Sequence, residues 1–474
     1  MVGHRHLQAN RKDEPNFNPS KKESILTFMD VNGLYATAMT YPLPYKNFKW
    51  EEDLQLFTES WALQLDLNAE KGFILEVDLI YPPEIHERTK DLPLAPTHEE
   101  ICIEMFSPHM KDMFESLHIP RSSLNGKRLC LTQYDRKKYV LHARNLQLYL
   151  KLGLRLSCVY RVLSFSQKPW LRDFVLEQLQ HRRRASNKAI SNYHKLVVNS
   201  LFGFSLYRKR DQTRLELTFD GETAARRACH PLCKTRTMMT SNELYVLEFD
   251  YPAITLDKPI YLGFSILEIS KTIFYSLHYQ TMVPLFRDEL RLAYCDTDSF
   301  FYELQGGNVM SRLKSIASEH LDTSNLEETH PLYSKDNHLK LGALKFEEGN
   351  EKIKEAIFLR PKTYGIEFFS RKTKVARKSV NEPIPFENFK AALAGENLHT
   401  FKPSSRSIRA FGFDLYCVSI EKGGFVPLDV KRYWISKHES LPYGHLSLRN
   451  GSQNRRKLDD TQSSHIPLKK RRIE

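Results

Sequence analysis

Two aspartates one residue apart, Asp296 and Asp298, lie between two apolar segments of the chain. The pattern predicts a hairpin with both carboxylates at its tip. Like charges this close are costly unless a cation neutralises them, and Mg²⁺ is a hard ion that prefers oxygen ligands. The pair therefore indicates a metal site, with a plain polar turn as the alternative interpretation.

A third carboxylate, Asp30, ends the apolar run 25–29 and precedes an Asn-Gly turn and a short helix. A carboxylate at the end of a strand can project into a cleft, although a lone aspartate there more often forms a turn. Acidic residues at two strand ends favour a shared cleft, and the elements between them must bring the two ends together.

A long helix is predicted over residues 171–202, which contain neither Gly nor Pro and carry apolar residues at helical spacing. At 100° per residue, one face of this helix presents a basic stripe that ends in an amide and an aromatic ring. Such a stripe suits a triphosphate with a base or sugar against the ring, and a solvated basic face is the alternative. Its members are Arg184, Lys188, Lys195, Asn199 and Phe202.

Further elements predict a mixed α+β chain in which helices and strands do not alternate. A helical pattern covers residues 264–286, a strand-like stretch covers 356–369, and a helix over 385–395 ends at a glycine. The segment around Glu76 and Asp78 predicts a strand.

The overall charge is +13, from 70 Lys and Arg against 57 Asp and Glu, as expected for a protein with a polyanionic partner. Residues 449–474 carry +5 of that charge and predict a disordered tail. Two basic clusters in the tail resemble a bipartite nuclear-localisation signal, and a nonspecific basic tail is the equal alternative. The seven cysteines are scattered, and Cys229 and Cys233 have no second pair at zinc-finger spacing. The start of the sequence lacks the apolar stretch of a signal peptide. These features predict an intracellular protein.

The order of these pieces resembles the family B DNA polymerases, and within them the protein-primed branch that includes viral and Polinton (Maverick) transposon enzymes. Asp30-Val-Asn-Gly-Leu-Tyr35 is similar to motif A. Lys195-Leu-Val-Val-Asn199-Ser-Leu-Phe202-Gly203 is similar to motif B. Tyr294-Cys-Asp296-Thr-Asp298-Ser299 matches motif C, and Lys362-Thr-Tyr364 matches the K-x-Y motif. Two positions depart from the family pattern. This chain has Gly33 where the family usually has Ser, and Phe202 where the family usually has Tyr.

The resemblance implies a right-handed palm, fingers and thumb, with an antiparallel palm sheet backed by helices. Asp30 and Asp298 would hold two Mg²⁺ ions with support from Asp296, and the chain would add deoxynucleotides to a primer 3′-hydroxyl. Primer–template DNA and dNTPs are the implied partners, together with a terminal protein as primer.

The same resemblance implies roles for the remaining motif residues. Lys195 would contact the triphosphate with either Arg182, which family spacing favours, or Lys188, which helix geometry favours. Asn199 and Phe202 would border the new base pair, and the ring of Tyr35 would exclude a ribose. Lys362 and Tyr364 would bind near the primer terminus.

The implied division of the chain follows the motifs. We expect an N-terminal remnant (1–23), a first palm segment (24–161) with an inserted region (about 47–150), fingers (162–204), another inserted region (205–260), a second palm segment (261–365), thumb and C-terminal region (366–446) and the basic tail (447–474). The family normally carries an exonuclease domain before motif A, so we expect a polymerase without proofreading. A decayed or domesticated transposon copy that binds DNA without catalysis is the alternative.

Overall fold

The computed structural model of the chain describes residues 1–239, 244–376, 384–396, 404–411, 414–421 and 426–449. Residues 450–474, which contain most of the predicted basic tail, lie outside the described residues, and 446–449 form a short helix. Among the described helices, none has the length and apolar character needed to cross a membrane. The α-helices are α1 (Leu34–Met39), α2 (Glu59–Gln64), α3 (Pro108–Ser116), α4 (Ala143–Lys151), α5 (Arg172–Arg183), α6 (Lys188–Ser205), α7 (Gly221–Ala228), α8 (Ile260–Ser276), α9 (Val283–Phe286), α10 (Val309–His320), α11 (Phe386–Ala394) and α12 (Leu446–Arg449).

The strands are mostly short and pair almost entirely in antiparallel fashion. They are β1 (His6–Gln8), β2 (Ser24–Val31), β3 (Leu43–Trp50), β4 (Lys71–Ile80), β5 (Thr97–Glu99), β6 (Arg128–Cys130), β7 (Arg136–His142), β8 (Arg155–Lys168), β9 (Arg214–Thr218), β10 (Cys233–Met239), β11 (Leu244–Phe249), β12 (Leu290–Asp296), β13 (Ser299–Gln305), β14 (Leu321–Asp322), β15 (Leu344–Phe346), β16 (Ile353–Arg360), β17 (Thr363–Phe368), β18 (Thr373–Val375), β19 (Ser404–Phe411), β20 (Asp414–Glu421), β21 (Tyr433–Trp434) and β22 (Ser440–Leu441).

A nine-stranded sheet forms the centre of the fold. Its main path runs β12–β13–β2–β16–β17–β18, with β1 beside β16, β15 beside β2, and β14 parallel to β15. The predicted motif C hairpin is confirmed as β12 and β13, and the predicted strand-like stretch 356–369 is the hairpin of β16 and β17. The α+β class with an antiparallel sheet is therefore confirmed.

Strand β2 is buried on both faces, which explains why the run before Asp30 is almost continuously apolar. Met29 and Val31 belong to one core cluster, whereas Leu26 and Phe28 belong to another on the opposite face. Helix α8 packs on the first face, where the ring of Phe274 stacks on Phe300 at 3.9 Å between centroids. Helix α8, a π-helical turn over 277–282 and α9 together confirm the predicted helical region 264–286.

Among the described residues, two smaller sheets have more than two strands. Strands β3–β8–β4–β7 form a four-stranded antiparallel sheet, which includes the predicted strand around Glu76 and Asp78. Strands β10–β11–β9 form a three-stranded sheet covered by α7. The short helix after motif A and the helix ending at Gly395 are confirmed as α1 and α11.

The prediction of one long helix over 171–202 is wrong. The segment forms two helices, α5 and α6, which are separated by residues 184–187 and pack against each other. Asn187 begins the second helix, since its side chain accepts a hydrogen bond from the backbone N–H of Ile190 at 3.0 Å. Arg184 caps the end of α5, so it is not part of the stripe that Lys188, Lys195, Asn199 and Phe202 still share on α6.

The first residues of the chain are built into the central sheet. Strand β1 pairs with β16, and the backbone N–H of Gly3 donates to the carbonyl of Ala293 at 2.7 Å. The buried guanidinium of Arg5 lies 3.5 Å from the ring centroid of Trp434, near the end of the described chain. The boundaries of palm, fingers, thumb and inserted regions stay predictions.

Candidate active site

Asp30 and Asp298 meet where β2 and β13 lie side by side. In the register of these two strands Asp30 faces Ser299, and the backbone N–H of Val31 donates to the carbonyl of Asp298 at 2.7 Å. Antiparallel pairing thus brings together two residues that are far apart in sequence. This register brings motif A and motif C to neighbouring strand ends.

The turn that carries Asp298 has an uncommon backbone. Thr297 adopts φ +59°, a left-handed conformation that is rare for a β-branched residue. The N–H of Asp298 donates to the carbonyl of Asp296 at 2.6 Å, and the hydroxyl of Ser299 donates to the same carbonyl at 3.2 Å. A tight turn of this kind holds Asp298 in one orientation at the tip of the hairpin.

The carboxylates of Asp30 and Asp298 are crowded together. Burial, together with the negative charges of Asp298 and Glu347, raises the pKa of Asp30 to about 7. Burial and the charge of Asp296 raise the pKa of Asp298. Within the described residues neither carboxylate forms an ion pair. Carboxylates held this way repel each other until a cation or a proton neutralises them.

Asp296 faces a different environment from its neighbour. Its Oδ2 is 2.5 Å from Nζ of Lys362 and accepts a hydrogen bond from the hydroxyl of Tyr294 at 3.2 Å. The same hydroxyl accepts from the backbone N–H of Lys362 at 3.2 Å, where φ is +60°. The structure therefore joins motif C to the K-x-Y turn through Asp296 and Tyr294.

Tyr364, the other predicted primer-binding residue, lies in an aromatic cluster beneath the hairpin. Its ring makes an edge contact with Phe28 at 5.9 Å and a tilted contact with Tyr294 at 5.2 Å. Burial raises its pKa to about 12. These contacts hold it beside the base of motif C.

Lys195 is the one predicted nucleotide-binding cation that the structure brings to the carboxylates. Its charge lowers the pKa of both Asp30 and Asp298, in opposition to their burial. On the same helix, the ring of Phe202 stacks on Tyr35 with 4.3 Å between centroids and 17° between planes. Burial and the charge of Asp298 raise the pKa of Tyr35. Motifs A and B therefore meet at this stacked pair.

The other predicted nucleotide-binding residues lie on the same helical hairpin. Arg182, in the last turn of α5, is partly buried, and burial lowers its pKa. Its Nε has no hydrogen-bond partner among the described residues. Lys188 is exposed in the first turn of α6, and Asn199 is exposed further along that helix. The choice between Arg182 and Lys188 stays open.

Glu347 is a charged neighbour of the site that no motif predicted. It directly follows β15, its backbone N–H donates to the carbonyl of Phe28 at 2.7 Å, and its carboxylate raises the pKa of Asp30. Its carboxylate lies 3.2 Å from Nζ of Lys374. The sequence gives little indication of this position, because β15 is only three residues long. Glu347 comes near Asp30 through the pairing of β15 with β2.

The donor set fits divalent ions that take only part of their ligands from the protein. The described residues contain no group of three or more His, Cys, Asp or Glu placed to hold a metal ion. The carboxylate oxygens of Asp30 and Asp298 form no ion pair with any described residue, whereas the carboxylate of Asp296 forms an ion pair with Lys362. Mg²⁺ commonly binds through one or two carboxylates and completes its shell with water and substrate phosphates.

Comparison with known structures gives a broad but distant likeness. Phi29 DNA polymerase in complex with primer–template DNA and incoming nucleotides is 18% identical over 88% of this chain, with a TM-score of 0.43. Phi29 DNA polymerase in an orthorhombic crystal form is 17% identical over 85%, with a TM-score of 0.46. The chain covers 60% of the length of these polymerases. Comparison with the curated proteins found no match.

Comparison with protein families matches residues 14–215 to the model described as DNA polymerase type B, organellar and viral. The matched region contains Asp30, Tyr35, Lys195 and Phe202, and it ends before the hairpin of Asp298. Over residues 14–215, which make up less than half of its length, the chain is similar to the organellar and viral type B DNA polymerases.

Proposed function

We propose that this chain is a template-directed DNA polymerase that adds deoxynucleotides to a primer 3′-hydroxyl by two-metal nucleotidyl transfer. The observation that carries the proposal is the proximity of Asp30 and Asp298, which the pairing of Asp30 with Ser299 brings to adjacent strand ends. The charge of Asp298 raises the pKa of Asp30, and neither carboxylate has an ion-pair partner among the described residues. Mg²⁺ bound there would neutralise charge on the reacting oxygens and on the leaving pyrophosphate. The family match to residues 14–215 supports the same chemistry.

The backbone around Asp30 and Asp298 holds the two carboxylates in fixed positions. Asp30 is held at the end of a strand buried on both faces, and Asp298 is held in a tight turn that accepts a hydrogen bond from Val31. Positioned groups of this kind contribute to catalysis because little reorganisation is needed when charge develops. Asp296 supports the arrangement by holding Lys362 at the rim.

The nucleotide would lie between α6 and the carboxylates. Lys195 supplies positive charge for the triphosphate, with Arg182 or Lys188 as the second cation. Asn199 and Phe202 border the new base pair, and Tyr35, stacked on Phe202, presents a ring that excludes a ribose 2′-hydroxyl. These roles follow the family resemblance, and the contact between Tyr35 and Phe202 supports them.

The primer would approach from the side of the K-x-Y turn. Nζ of Lys362 is at the surface, with 74% of the side chain exposed, and is anchored to Asp296. Tyr364 lies under the same turn. A cation at this position suits a primer phosphate near the 3′ end, and a terminal protein as the primer stays a prediction of the resemblance.

Primer extension tests the proposal. Purified chain with Mg²⁺, a primed template and all four dNTPs should extend the primer, and Asp298→Asn should lose about 10³-fold in rate because the site loses a metal ligand. Asp78→Asn is the matched control, since it neutralises a buried aspartate in the four-stranded sheet. We expect it to retain extension within about threefold.

Two results would contradict the proposal. One is no extension by the unmodified, folded chain. The other is equal extension by Asp298→Asn. Salt-sensitive DNA binding without extension would instead favour the non-catalytic DNA-binding protein.

A further inference from the structure

Asp322 is a fully buried carboxylate that lies outside every motif. It ends strand β14, and its side chain accepts four hydrogen bonds. Ser324 donates to Oδ1 from its hydroxyl at 2.7 Å and from its backbone N–H at 3.2 Å. Leu339 donates to Oδ2 from its backbone N–H at 2.9 Å, and Asn32 donates from Nδ2 at 2.6 Å. Burial alone would raise the pKa of Asp322, but these hydrogen bonds lower it below its ordinary value.

The bond from Asn32 connects Asp322 to the catalytic turn, because Asn32 lies two residues after Asp30. Main-chain bonds strengthen the connection. The N–H of Asn32 donates to the carbonyl of Ala343 at 2.8 Å, and the N–H of Gly342 donates to the carbonyl of Asn32 at 2.9 Å. The turn after Asp30 is thus fastened to residues 322–343 through both its side chain and its backbone.

The next residue of the turn shows how closely these parts fit. Gly33 has φ +55°, which glycine adopts without strain. A Cβ built there would lie 3.2 Å from Cδ2 of Leu341. Leu341 also packs against the same core cluster as Tyr35 and Phe202. The turn after Asp30 therefore packs closely against residues 322–343, which we call the 322–343 segment.

The 322–343 segment also contacts the helical hairpin of α5 and α6. Nη2 of Arg183, the last residue of α5, donates to the carbonyl of His338 at 2.8 Å. Nδ1 of His338 lies 2.9 Å from the hydroxyl of Ser324, which donates to Asp322. A continuous set of hydrogen bonds thus runs from the end of α5 through Asp322 to the turn after Asp30.

We infer that Asp322 is a positioning residue, which fixes the turn after Asp30 through Asn32 and so sets the direction in which the Asp30 carboxylate points. With all four bonds made inside the protein, Asp322 has no capacity left for substrate or metal. A buried acceptor with four donors is instead suited to hold backbone in one conformation. The inference rests on the proposed function for its catalytic consequence, and on the geometry of the turn alone for its structural part.

A double-mutant cycle tests the inference, using Asn32→Ala, Asp322→Ala and both together. Asn32→Ala is the gentler variant, because Asp322 keeps three of its four donors. We expect kcat for nucleotide addition to fall about tenfold, with KM for primer–template unchanged, because small misplacement of a reacting group is costly. The double variant should lose no more than Asp322→Ala alone, since each change removes the hydrogen bond between the two side chains. Asp78→Asn is the control for loss of a buried, hydrogen-bonded carboxylate, and it should leave kcat within about threefold.

Hydrogen–deuterium exchange provides a measurement that does not depend on activity. In Asn32→Ala, peptides covering residues 24–39 should exchange about tenfold faster, whereas in Asp78→Asn they should not change. Unchanged exchange in Asn32→Ala, or additive losses in the cycle, would overturn the inference. If the unmodified chain fails to extend a primer while Asn32→Ala still accelerates exchange, the proposed function fails and the positioning of the turn stands.

Discussion

The acidic pairs Glu76–Asp78 and Asp296–Asp298 have the same spacing in the sequence, and the structure gives them different surroundings. In the four-stranded sheet, Glu76 lies 2.7 Å from Nε of Arg161, and Asp78 lies 2.8 Å from Nζ of Lys137. Asp78 also accepts from the N–H of Lys138 at 2.8 Å. Burial raises the pKa of Asp78, but these hydrogen bonds outweigh it and hold the pKa below its ordinary value.

The two aspartates at the hairpin tip differ from each other in their surroundings. Asp296 resembles the structural pair, since Lys362 lies 2.5 Å away. Asp298 has no such partner among the described residues. Its charge acts on Asp30 instead, and the pKa values of both carboxylates are raised. Carboxylates paired with the protein's own cations stabilise the fold, whereas carboxylates left crowded are available to a cation from solution.

The largest expected effect is on the rate of primer extension, which should depend on Asp30 and not on Glu76. Asp30→Asn should reduce primer extension about 10³-fold, because the proposed metal site would lose one of its two carboxylates. Glu76→Gln should change the rate by less than about threefold, because its partner is Arg161 and no reacting group. The two variants are compared in the same extension assay. Comparable losses in both would break the distinction.

Asp296 should behave as an intermediate case. Asp296→Asn and Lys362→Met should each lower kcat by about ten- to hundredfold, because they loosen the K-x-Y turn while leaving Asp30 and Asp298 in place. Single-turnover kinetics measures the loss. A reduction by Asp296→Asn as large as that by Asp298→Asn would show that all three carboxylates act as equivalent metal ligands.

Stability should move in opposite directions at the two sites. Asp30→Asn should raise the melting temperature by about 2 °C, since it relieves repulsion from Asp298 and Glu347. Asp78→Asn should lower it by a similar amount, since it removes the charged acceptor of Lys137 and Lys138. Differential scanning calorimetry at about pH 8 without divalent ions measures both. A loss of stability in Asp30→Asn would contradict the crowding.

The smallest effect concerns pH. The folded pKa of Asp30, about 7, lies above its ordinary 3.8. Between these two values the unfolded chain releases a proton that the folded chain keeps, so stability falls as pH rises through this window and the loss is complete above 7. The difference in melting temperature between Asp30→Asn and the unmodified chain should therefore grow from about pH 5 to about pH 8. Added Mg²⁺ should reduce it at the upper end of this range, and a pH-independent difference would contradict the raised pKa.

The sequence predicted the central elements of the site because they are encoded locally. An apolar run ending at Asp30 and a hairpin around Asp296 and Asp298 each follow from residue pattern alone. The break between α5 and α6 was also encoded locally, in the Ser-Asn step at 186–187, but without a Gly or Pro the helical pattern concealed it. Glu347 and Asp322 were not predicted, because only the pairing of β15 with β2 and the fold of the 322–343 segment bring them near motif A.

The most direct test of the central claim is anomalous diffraction from crystals of the chain grown with Mn²⁺, an ion of the same oxygen-binding class as Mg²⁺. We expect an anomalous peak between the carboxylates of Asp30 and Asp298, which disappears in Asp30→Asn crystals, and no peak at Glu76 and Asp78. An occupied site at Glu76 and Asp78, or a pair of Asp30 and Asp298 carboxylates that stays free of metal at millimolar Mn²⁺, would contradict it.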